Sequence, residues 1–294
     1  MNIVDIQYSK LILAFFCISF SFSIKAYDFE NEKIYYNITS SADLTVGVTY
    51  RYYDGILGSY SGEVTIPETV EYNGKVYTVT SIEPKAFNNC THLSAVSIPN
   101  SVITIGDEAF SNCYSSLKSI IIPDNVISIG RLAFYNCNNL ISVTIGKNVT
   151  SIGDNAFNNC SKINSIVVPD NVETIGNYAF NSCRNLTSII IGNGITSIGD
   201  NAFSYCDNLV SICFLSIVPP KICSDWKPNN AKIHTLYPDA YKKVWSEYSS
   251  SIQDIIKINS NIYEYTGVTP QIQIESLIPN LNVSLKENIL PINV

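Results

Sequence analysis

Cysteine and histidine are the residues of this chain whose chemistry has to be considered first. There are 9 Cys and only 2 His among 294 residues. Zinc sites need closely paired ligands such as CxxC, and no two cysteines here have that spacing. Cys206, Cys213, Cys223 and His234 also lack the separations of a standard zinc set. The sequence therefore predicts no metal site and no redox dithiol.

A thiol and an imidazole lie close together at Cys90 and His92, and such a pair can act as nucleophile and base. However, His92 falls in a variable turn position that Asn139, Lys162 and Asn208 fill elsewhere in the chain. No Ser/His/Asp set, carboxylate pair or phosphate-cradling loop stands out either. We predict a protein that is not an enzyme and has no cofactor.

The charge balance argues against nucleic acid as a partner. Lys and Arg number 18 against 25 Asp and Glu, which gives a formal net charge of -7. Non-specific nucleic-acid affinity comes from clustered basic side chains that neutralise phosphates. An acidic chain without such clusters indicates other partners.

The middle of the chain is built from an internal repeat. Each copy has an Ala-Phe pair with a cysteine three residues after the Phe, and successive cysteines are 23 or 24 residues apart. The single longer step has a local cause, because Tyr114-Ser115-Ser116 stands where other copies have two residues. The six cysteines are Cys90, Cys113, Cys137, Cys160, Cys183 and Cys206.

Each copy predicts one coil of a stack. The segment Leu186-x-x-Ile189-x-Ile191 alternates with period 2, which is typical of a short strand, and a proline such as Pro169 ends the equivalent strand. Gly153-Asp154 predicts a turn followed by a brief helix. The apolar residues of this coil are predicted to point inward: Ala156, Phe157, Cys160, Ile163, Ile166, Val168, Val172 and Ile175.

A single coil cannot bury its own apolar side, so stacking at the parallel-strand spacing of about 4.8 Å must create the core. The predicted fold class is a β-rich solenoid (α+β), a stack of short parallel strands with short helical turns. A small β cap precedes the stack and a helix-containing cap follows it.

The blocks SIGDNAFNNCSKINSIVVPDNV (151–172) and TIGNYAFNSCRNLTSIIIGNGI (174–195) resemble the BspA-like, or Treponema pallidum type, class of leucine-rich repeats. The resemblance covers residues 62–215 and rests on six copies in phase. It implies a bacterial protein that is exported or attached to the cell surface and that acts in adhesion or ligand binding. It carries no catalytic residues.

The termini of the chain differ from the repeat. Residues 1–26 include the apolar run Leu11 to Ile24 and are predicted to be a secretory signal peptide, because this run is shorter than the roughly 20 residues of a spanning helix. We therefore expect a secreted or cell-surface protein without a transmembrane segment after signal removal. The sequence does not fix the oligomeric state.

We divide the remaining chain into four parts. An N-terminal β cap is expected at 27–80, with strands at Ile34 to Ile38 and Leu44 to Tyr50 and a hairpin around Asn73-Gly74. The repeats occupy 81–215, with a first split copy from about residue 62. The C-terminal cap spans 216–259. It contains a helix opened by Pro238, with Tyr241, Val244, Trp245 and Tyr248 on one apolar face, and ends in a strand at Ile252 to Ile258. Residues 260–294 form a β-like tail or the start of an incomplete second module.

The cysteines divide into two groups. Side chains along a parallel ladder point the same way, which opposes disulfides between neighbours, so the six repeat cysteines are interpreted as buried free thiols. Cys213 and Cys223 lie outside the ladder, and a disulfide between them is a possible staple of the cap in an exported protein.

The strand positions that point outward are the candidate ligand-binding residues. They form two columns that we expect to be exposed: a first column of Ser119, Ser142, Ser165, Ser188 and Ser211, and a second of Ser97, Ile121, Thr144, Val167, Ile190 and Cys213. Small polar and aliphatic rows on a rigid sheet suit contact with a partner, but they are also residues that a solvated sheet tolerates. Tyrosines of the N-terminal cap are a rival aromatic patch: Tyr50, Tyr52, Tyr53 and Tyr60.

The leading hypothesis is a non-catalytic surface module that binds an extracellular protein or glycan through this sheet face. The alternative is a structural or capture subunit of a larger surface assembly, with 260–294 as its connector.

Overall fold

The structure is a computed structural model that describes residues 27–51, 60–223, 225–227 and 230–254. The predicted signal peptide (1–26) and the predicted tail (260–294) lie outside the described residues.

The repeats form a β-solenoid with two faces of mostly parallel strands, which confirms the predicted fold class. We call the face of longer strands the front sheet; it consists of three ladders, β4-β7, β9-β11 and β13-β15-β17-β19-β20. Its strands are β4 (Gly62–Thr65), β7 (Leu93–Ser97), β9 (Ser119–Ile121), β11 (Ser142–Thr144), β13 (Ser165–Val168), β15 (Ser188–Ile191), β17 (Ser211–Phe214), β19 (Lys232–Thr235) and β20 (Ile252–Asp254).

The opposite face is one 11-stranded sheet, which we call the back sheet. The sequence predicted one strand in each coil. The second, back-sheet strand of each repeat coil was missed, because it has only two residues and is too short to show a period. The back strands are β1 (Phe29–Asn31), β2 (Ile34–Ser40), β3 (Thr45–Thr49), β5 (Thr69–Tyr72), β6 (Lys75–Ile82), β8 (Thr104–Ile105), β10 (Ser128–Ile129), β12 (Ser151–Ile152), β14 (Thr174–Ile175), β16 (Ser197–Ile198) and β18 (Lys221–Ile222).

The Gly-Asp-x-Ala-Phe segments form turns, so the prediction of brief helices at these positions is wrong. One residue of each such segment and a second one just after it adopt left-handed backbone conformations, for example Asn155 (φ 56°) and Asn159 (φ 60°). A right-handed helix cannot run through residues with positive φ. Asparagines at the second of these positions also bond between coils: Asn159 Nδ2 donates to Asn136 Oδ1 at 2.8 Å, and Asn136 Nδ2 donates to Asn112 Oδ1 at 2.9 Å.

Aromatic rings run through the middle of the core. Phe87, Phe110, Phe134, Phe157, Phe180 and Phe203 stack with centroid separations of 4.8, 5.1, 5.1, 5.3 and 5.5 Å, and the planes of each pair are within 7° of parallel. Tyr60 contacts the first ring at 4.5 Å, and Trp226 meets the last edge-on at 6.3 Å. This aromatic spine is therefore closed at both ends.

The N-terminal cap contains the predicted strands and hairpin. β2 pairs antiparallel with β3, and β5 pairs antiparallel with β6 through Asn73-Gly74, both of which have positive φ (50° and 69°). That backbone suits the right-handed twist of a two-residue hairpin. β3 then pairs in parallel with β6, and β6 with β8, so the cap continues directly into the back sheet.

In the described residues of the C-terminal cap, the helix α1 (Pro238–Val244) is followed by a 3₁₀ helix (Ser246–Ser251) and β20. The prediction that Pro238 opens a helix is confirmed, and Tyr241 and Trp245 are buried. Val244 was also expected on the inward face, yet 61% of it is exposed. The predicted final strand appears as Ile252–Asp254, and the rest of it lies outside the described residues.

Candidate binding face

The two outward columns are held in register by the ladders of the front sheet. Ser119 pairs with Ser142 and Ile121 with Thr144; farther along, Ser165 pairs with Ser188 and Val167 with Ile190. In the last coils Ser188 continues to Ser211, and Ile190 to Cys213 and then to His234. Within each of these ladders, the members of a column are therefore direct register partners.

Exposure along the columns decreases toward the C-terminal end of the stack. Ile121 exposes 67% of its surface and Val167 exposes 37%, whereas Ile190 exposes 2%. The serine column changes in the same direction, from exposed Ser119 and Ser142 to half-buried Ser165, Ser188 and Ser211. The expectation that Ile190 is an exposed contact residue is thus wrong, and the open part of the face lies in the coils of β9, β11 and β13.

Cys213 was also placed in the exposed column, but it is half-buried. Removal from water raises the pKa of its thiol to about 12. Its neighbour His234 is half-buried, and desolvation together with Lys232 lowers the pKa of the imidazole. A thiol with so high a pKa is almost entirely protonated at neutral pH and is a poor nucleophile.

The possible disulfide between Cys213 and Cys223 is not formed, and both residues are free thiols. Cys213 belongs to β17 of the front sheet, whereas Cys223 directly follows β18 of the back sheet. The two residues thus lie on opposite faces of the solenoid.

The six repeat cysteines are buried free thiols, as predicted. Each thiol from the second coil onward donates to the carbonyl of the Phe in the preceding coil; the Sγ to O distances are 3.1 Å for Cys113, Cys137, Cys160 and Cys206, and 3.3 Å for Cys183. Cysteine suits this position because it is small, apolar and a weak donor.

Residues considered for chemistry are not arranged as a reactive site. Cys90 is buried at the start of the ladder, and His92 is exposed on its turn. In the part of the chain that the structure describes, no three His, Cys, Asp or Glu side chains form a group that could hold a metal ion.

The rival aromatic patch is largely absorbed by the core. The Tyr60 hydroxyl donates to the Thr49 carbonyl and accepts from the Tyr35 amide, and its ring starts the aromatic spine. Burial raises the pKa of this hydroxyl well above its usual range. Tyr50 is half-buried, and Tyr52 and Tyr53 lie outside the described residues.

Aspartates at the end of the front strands tie neighbouring coils together. Asp124 accepts the backbone N–H of Lys147 at 3.1 Å, and its second oxygen lies 3.0 Å from the ammonium group of the same residue. These contacts lower the pKa of Asp124. Asp170 accepts the amide of Asn193 in the same way at 3.0 Å. Both aspartates therefore hold the turn after a front strand against the turn of the next coil.

A stack of short coils with buried Ala-Phe-Cys positions and one longer strand per coil defines a leucine-rich-repeat solenoid. The family model of the BspA type leucine rich repeat region matches the chain with 6 copies, over residues 60–140 and 80–210. The chain belongs to this family.

Solved structures with similar coordinates include leucine-rich-repeat proteins of three bacteria. The T. pallidum leucine rich repeat protein is 20% identical, with 76% of this chain and 97% of that chain covered and a TM-score of 0.46. A leucine rich cell surface protein of Faecalibacterium prausnitzii is 21% identical (76% and 77% covered, TM-score 0.39), and a leucine-rich repeat protein of Bacteroides ovatus is 25% identical (78% and 76% covered, TM-score 0.38). The search of curated proteins gave no match.

No helix within the described ranges has the length and apolar character that crossing a membrane requires.

Proposed function

We propose that this chain is a non-catalytic, exported surface protein that binds an extracellular protein through the open part of its front sheet. The observation that carries the proposal is the exposure of Ile121, which leaves 67% of a large aliphatic side chain in water on a rigid parallel sheet. Exposed apolar side chains among small polar ones are typical of contact surfaces.

The proposed contact residues are the exposed and half-exposed members of both columns. Ile121 and Val167 supply apolar area, while the hydroxyl groups around them supply hydrogen bonds: Ser119, Ser142, Thr144 and Ser165. A protein partner suits Ile121 and Val167 better than a glycan does. These two side chains offer apolar contact, but neither has the aromatic ring or the charge that would favour binding of a sugar. Ser188 and Ser211 form the half-buried edge of this surface.

The predicted signal peptide and the membership of this family support export and a surface location. The F. prausnitzii relative is described as a cell surface protein, which supports the same location for this chain. Catalysis is not proposed, because the buried thiols of the ladder are hydrogen-bonded within the core and the chain is a repeat scaffold.

The experiment is a binding screen of residues 27–294 against extracellular-matrix proteins, with surface polysaccharides as a separate arm. The test variant is Ile121→Arg with Val167→Arg, and the control is Val76→Arg, which changes an aliphatic residue of the back sheet that is 58% exposed. We expect the test variant to lose at least about tenfold in affinity at an unchanged melting temperature.

Three results would overturn the proposal. They are equal binding by both variants, capture of polysaccharide alone, and capture of nothing by the unsubstituted chain. The last result would favour a structural subunit of a surface assembly, with residues 260–294 as its connector.

A further inference from the structure

Five large apolar side chains of the C-terminal cap are exposed to water. Ile217 and Val218, in the loop between β17 and β18, expose 62% and 73% of their surface. Leu236 and Tyr237, between β19 and α1, and Val244, at the end of α1, are also exposed. We call these five residues the cap patch. Exposed apolar groups in such number on one small element are typical of an interaction surface.

Hydrogen bonds hold the members of the cap patch together. The loop between β17 and β18 is bonded to α1 at both of its ends: the Tyr241 hydroxyl and Ser216 Oγ share a hydrogen bond of 2.6 Å, and Trp245 Nε1 donates to the carbonyl of Pro220 at 3.3 Å. β17 and β19 are neighbours in the front sheet, so the segment that follows β19 also begins beside this loop. The five side chains therefore lie around one contact between loop and helix.

Lysines border the cap patch. Lys242 and Lys243 lie in the last turn of α1, and Lys221 is the first residue of β18; all three are exposed. None of them forms an ion pair with another residue that the structure describes. Asp239 is the only carboxylate residue within 215–221 and 236–245. The area thus combines aliphatic side chains with net positive charge.

We propose that the cap patch and its lysines dock on an anionic phospholipid surface. Apolar side chains bordered by lysine suit the lipid–water interface, because the apolar groups enter the headgroup region while the ammonium groups meet the phosphates. The aliphatic stems of Lys242 and Lys243 add apolar area, and the ring and hydroxyl of Tyr237 suit the same boundary. The inference goes beyond the proposed binding of a protein by the front sheet and does not depend on it.

The distribution of charge between the two caps fits this orientation. Residues 27–51 and 60–80 of the N-terminal cap hold 7 acidic and 3 basic residues. The repeat coils separate this cap from α1, by about 24 Å for five strand spacings, and exposed charges farther apart than about 8 Å are largely screened at physiological salt. An anionic surface therefore attracts the cap patch and repels the opposite end of the solenoid.

The test measures co-flotation of residues 27–294 with vesicles made of equal parts phosphatidylglycerol and phosphatidylcholine. We expect the unsubstituted chain to bind, and Ile217→Ser with Val218→Ser to lose at least about tenfold in affinity at an unchanged melting temperature. The matched control is Ile103→Ser with Ile127→Ser, two exposed isoleucines on neighbouring coils of the repeat, which should bind like the unsubstituted chain.

A second pair of variants tests the charge. Lys242→Ala with Lys243→Ala should weaken binding to the anionic vesicles at least about tenfold. Lys33→Ala with Lys75→Ala removes the same charge from exposed positions of the N-terminal cap and should leave binding unchanged. Binding of the unsubstituted chain should also fall as salt rises and should be weak on vesicles of phosphatidylcholine alone.

Absence of binding to the anionic vesicles, or equal losses in the cap variants and their controls, would contradict the proposal. So would self-association of the chain without lipid, seen by gel filtration, that Ile217→Ser with Val218→Ser abolishes, since this would assign the cap patch to a second copy. Ile121→Arg with Val167→Arg should not lose vesicle binding, which separates a failure of this inference from a failure of the proposed function.

Discussion

Glu83 differs from its equivalents in the later coils. It occupies the position that Gly106, Gly130, Gly153, Gly176 and Gly199 fill elsewhere, directly after the back strand of the coil. Asn37 Nδ2 donates to Glu83 Oε2 at 2.6 Å, which joins the N-terminal cap to the first coil. Desolvation raises the pKa of the Glu83 carboxyl, and the nearby charge of Asp28 acts in the same direction, whereas the bonds from Asn37 and Thr49 oppose the shift.

We predict that Glu83→Gln stabilises the protein at neutral pH. A carboxyl whose pKa is raised by folding binds its proton more tightly in the folded state, so stability falls as pH rises from the unfolded pKa through the folded pKa. The amide that replaces the carboxyl carries no charge to desolvate and keeps an acceptor for Asn37. Thermal unfolding should give a melting temperature higher by roughly 1–3 °C at pH 7.5.

The pH dependence separates this explanation from a simple packing change. Near pH 4 the carboxyl is protonated to a large extent in both states, so the advantage of Glu83→Gln should largely disappear there. A gain that is equal at pH 4 and pH 7.5, or a loss at pH 7.5, would contradict the role assigned to desolvation. Glu68→Gln changes an exposed carboxylate of the same cap and should leave the melting temperature nearly unchanged at both pH values.

The elements of the repeat could be predicted from the sequence where the element is long enough to show a periodic pattern of apolar residues. The alternation around Ile189 and Ile191 identified the front strands, and the apolar template identified the inward positions of the coil. The turns were misread as helices because left-handed backbone at Asn155 and Asn159 is set by contacts between coils and leaves no periodic pattern. Two-residue back strands such as β12 exist only because a neighbouring coil offers the partner strand.

The C-terminal cap shows the same limit. Helical spacing placed Val244 with Tyr241 and Trp245 on one face, but α1 ends at Val244 and the following residues are 3₁₀. The main core residue of the cap is Trp226, which no period marks. Its ring meets Phe203, Phe214 and Trp245 at centroid distances of 6.3, 6.0 and 5.4 Å.

We predict that Trp226→Ala destabilises the protein by about 3–5 kcal/mol, since it removes a fully buried ring and opens the end of the aromatic spine. Val244→Ala, on the same cap, should change stability by less than about 0.5 kcal/mol because the side chain is mostly in water. Urea unfolding of the two variants measures both values. A large effect of Val244→Ala, or a small effect of Trp226→Ala, would contradict the assignment of the cap core.

At the scale of the whole molecule, the sequence located the candidate surface but not its limits. The register of the columns follows from the repeat, so Ser119, Ile121, Ser142 and Thr144 were placed correctly on one outward face. The burial of Ile190 could not be read from the same period, because its outward position is identical to that of Val167.

Stacking of coils also determines how the effect of a destabilising substitution should extend along the solenoid. Each coil contacts its two neighbours, so a local distortion should weaken the adjacent interfaces first. Gly153 tests this, because a Cβ added there would lie 2.7 Å from the amide nitrogen of Arg131 and 2.7 Å from the carbonyl carbon of Gly130. These are backbone atoms of the preceding coil, and they cannot move aside without separating the coils.

We predict that Gly153→Ala lowers the free energy of unfolding by about 1–3 kcal/mol and increases hydrogen exchange in β10, β12 and β14, the back strands on either side of the lesion. The matched control is Gly74→Ala. A Cβ at Gly74 would meet nothing within 4 Å, but its φ of +69° strains any larger residue, so faster exchange should be confined to the β5–β6 hairpin. If Gly153→Ala instead raised exchange equally from β2 to β20, the solenoid would unfold as one cooperative unit and the nearest-neighbour description would be wrong.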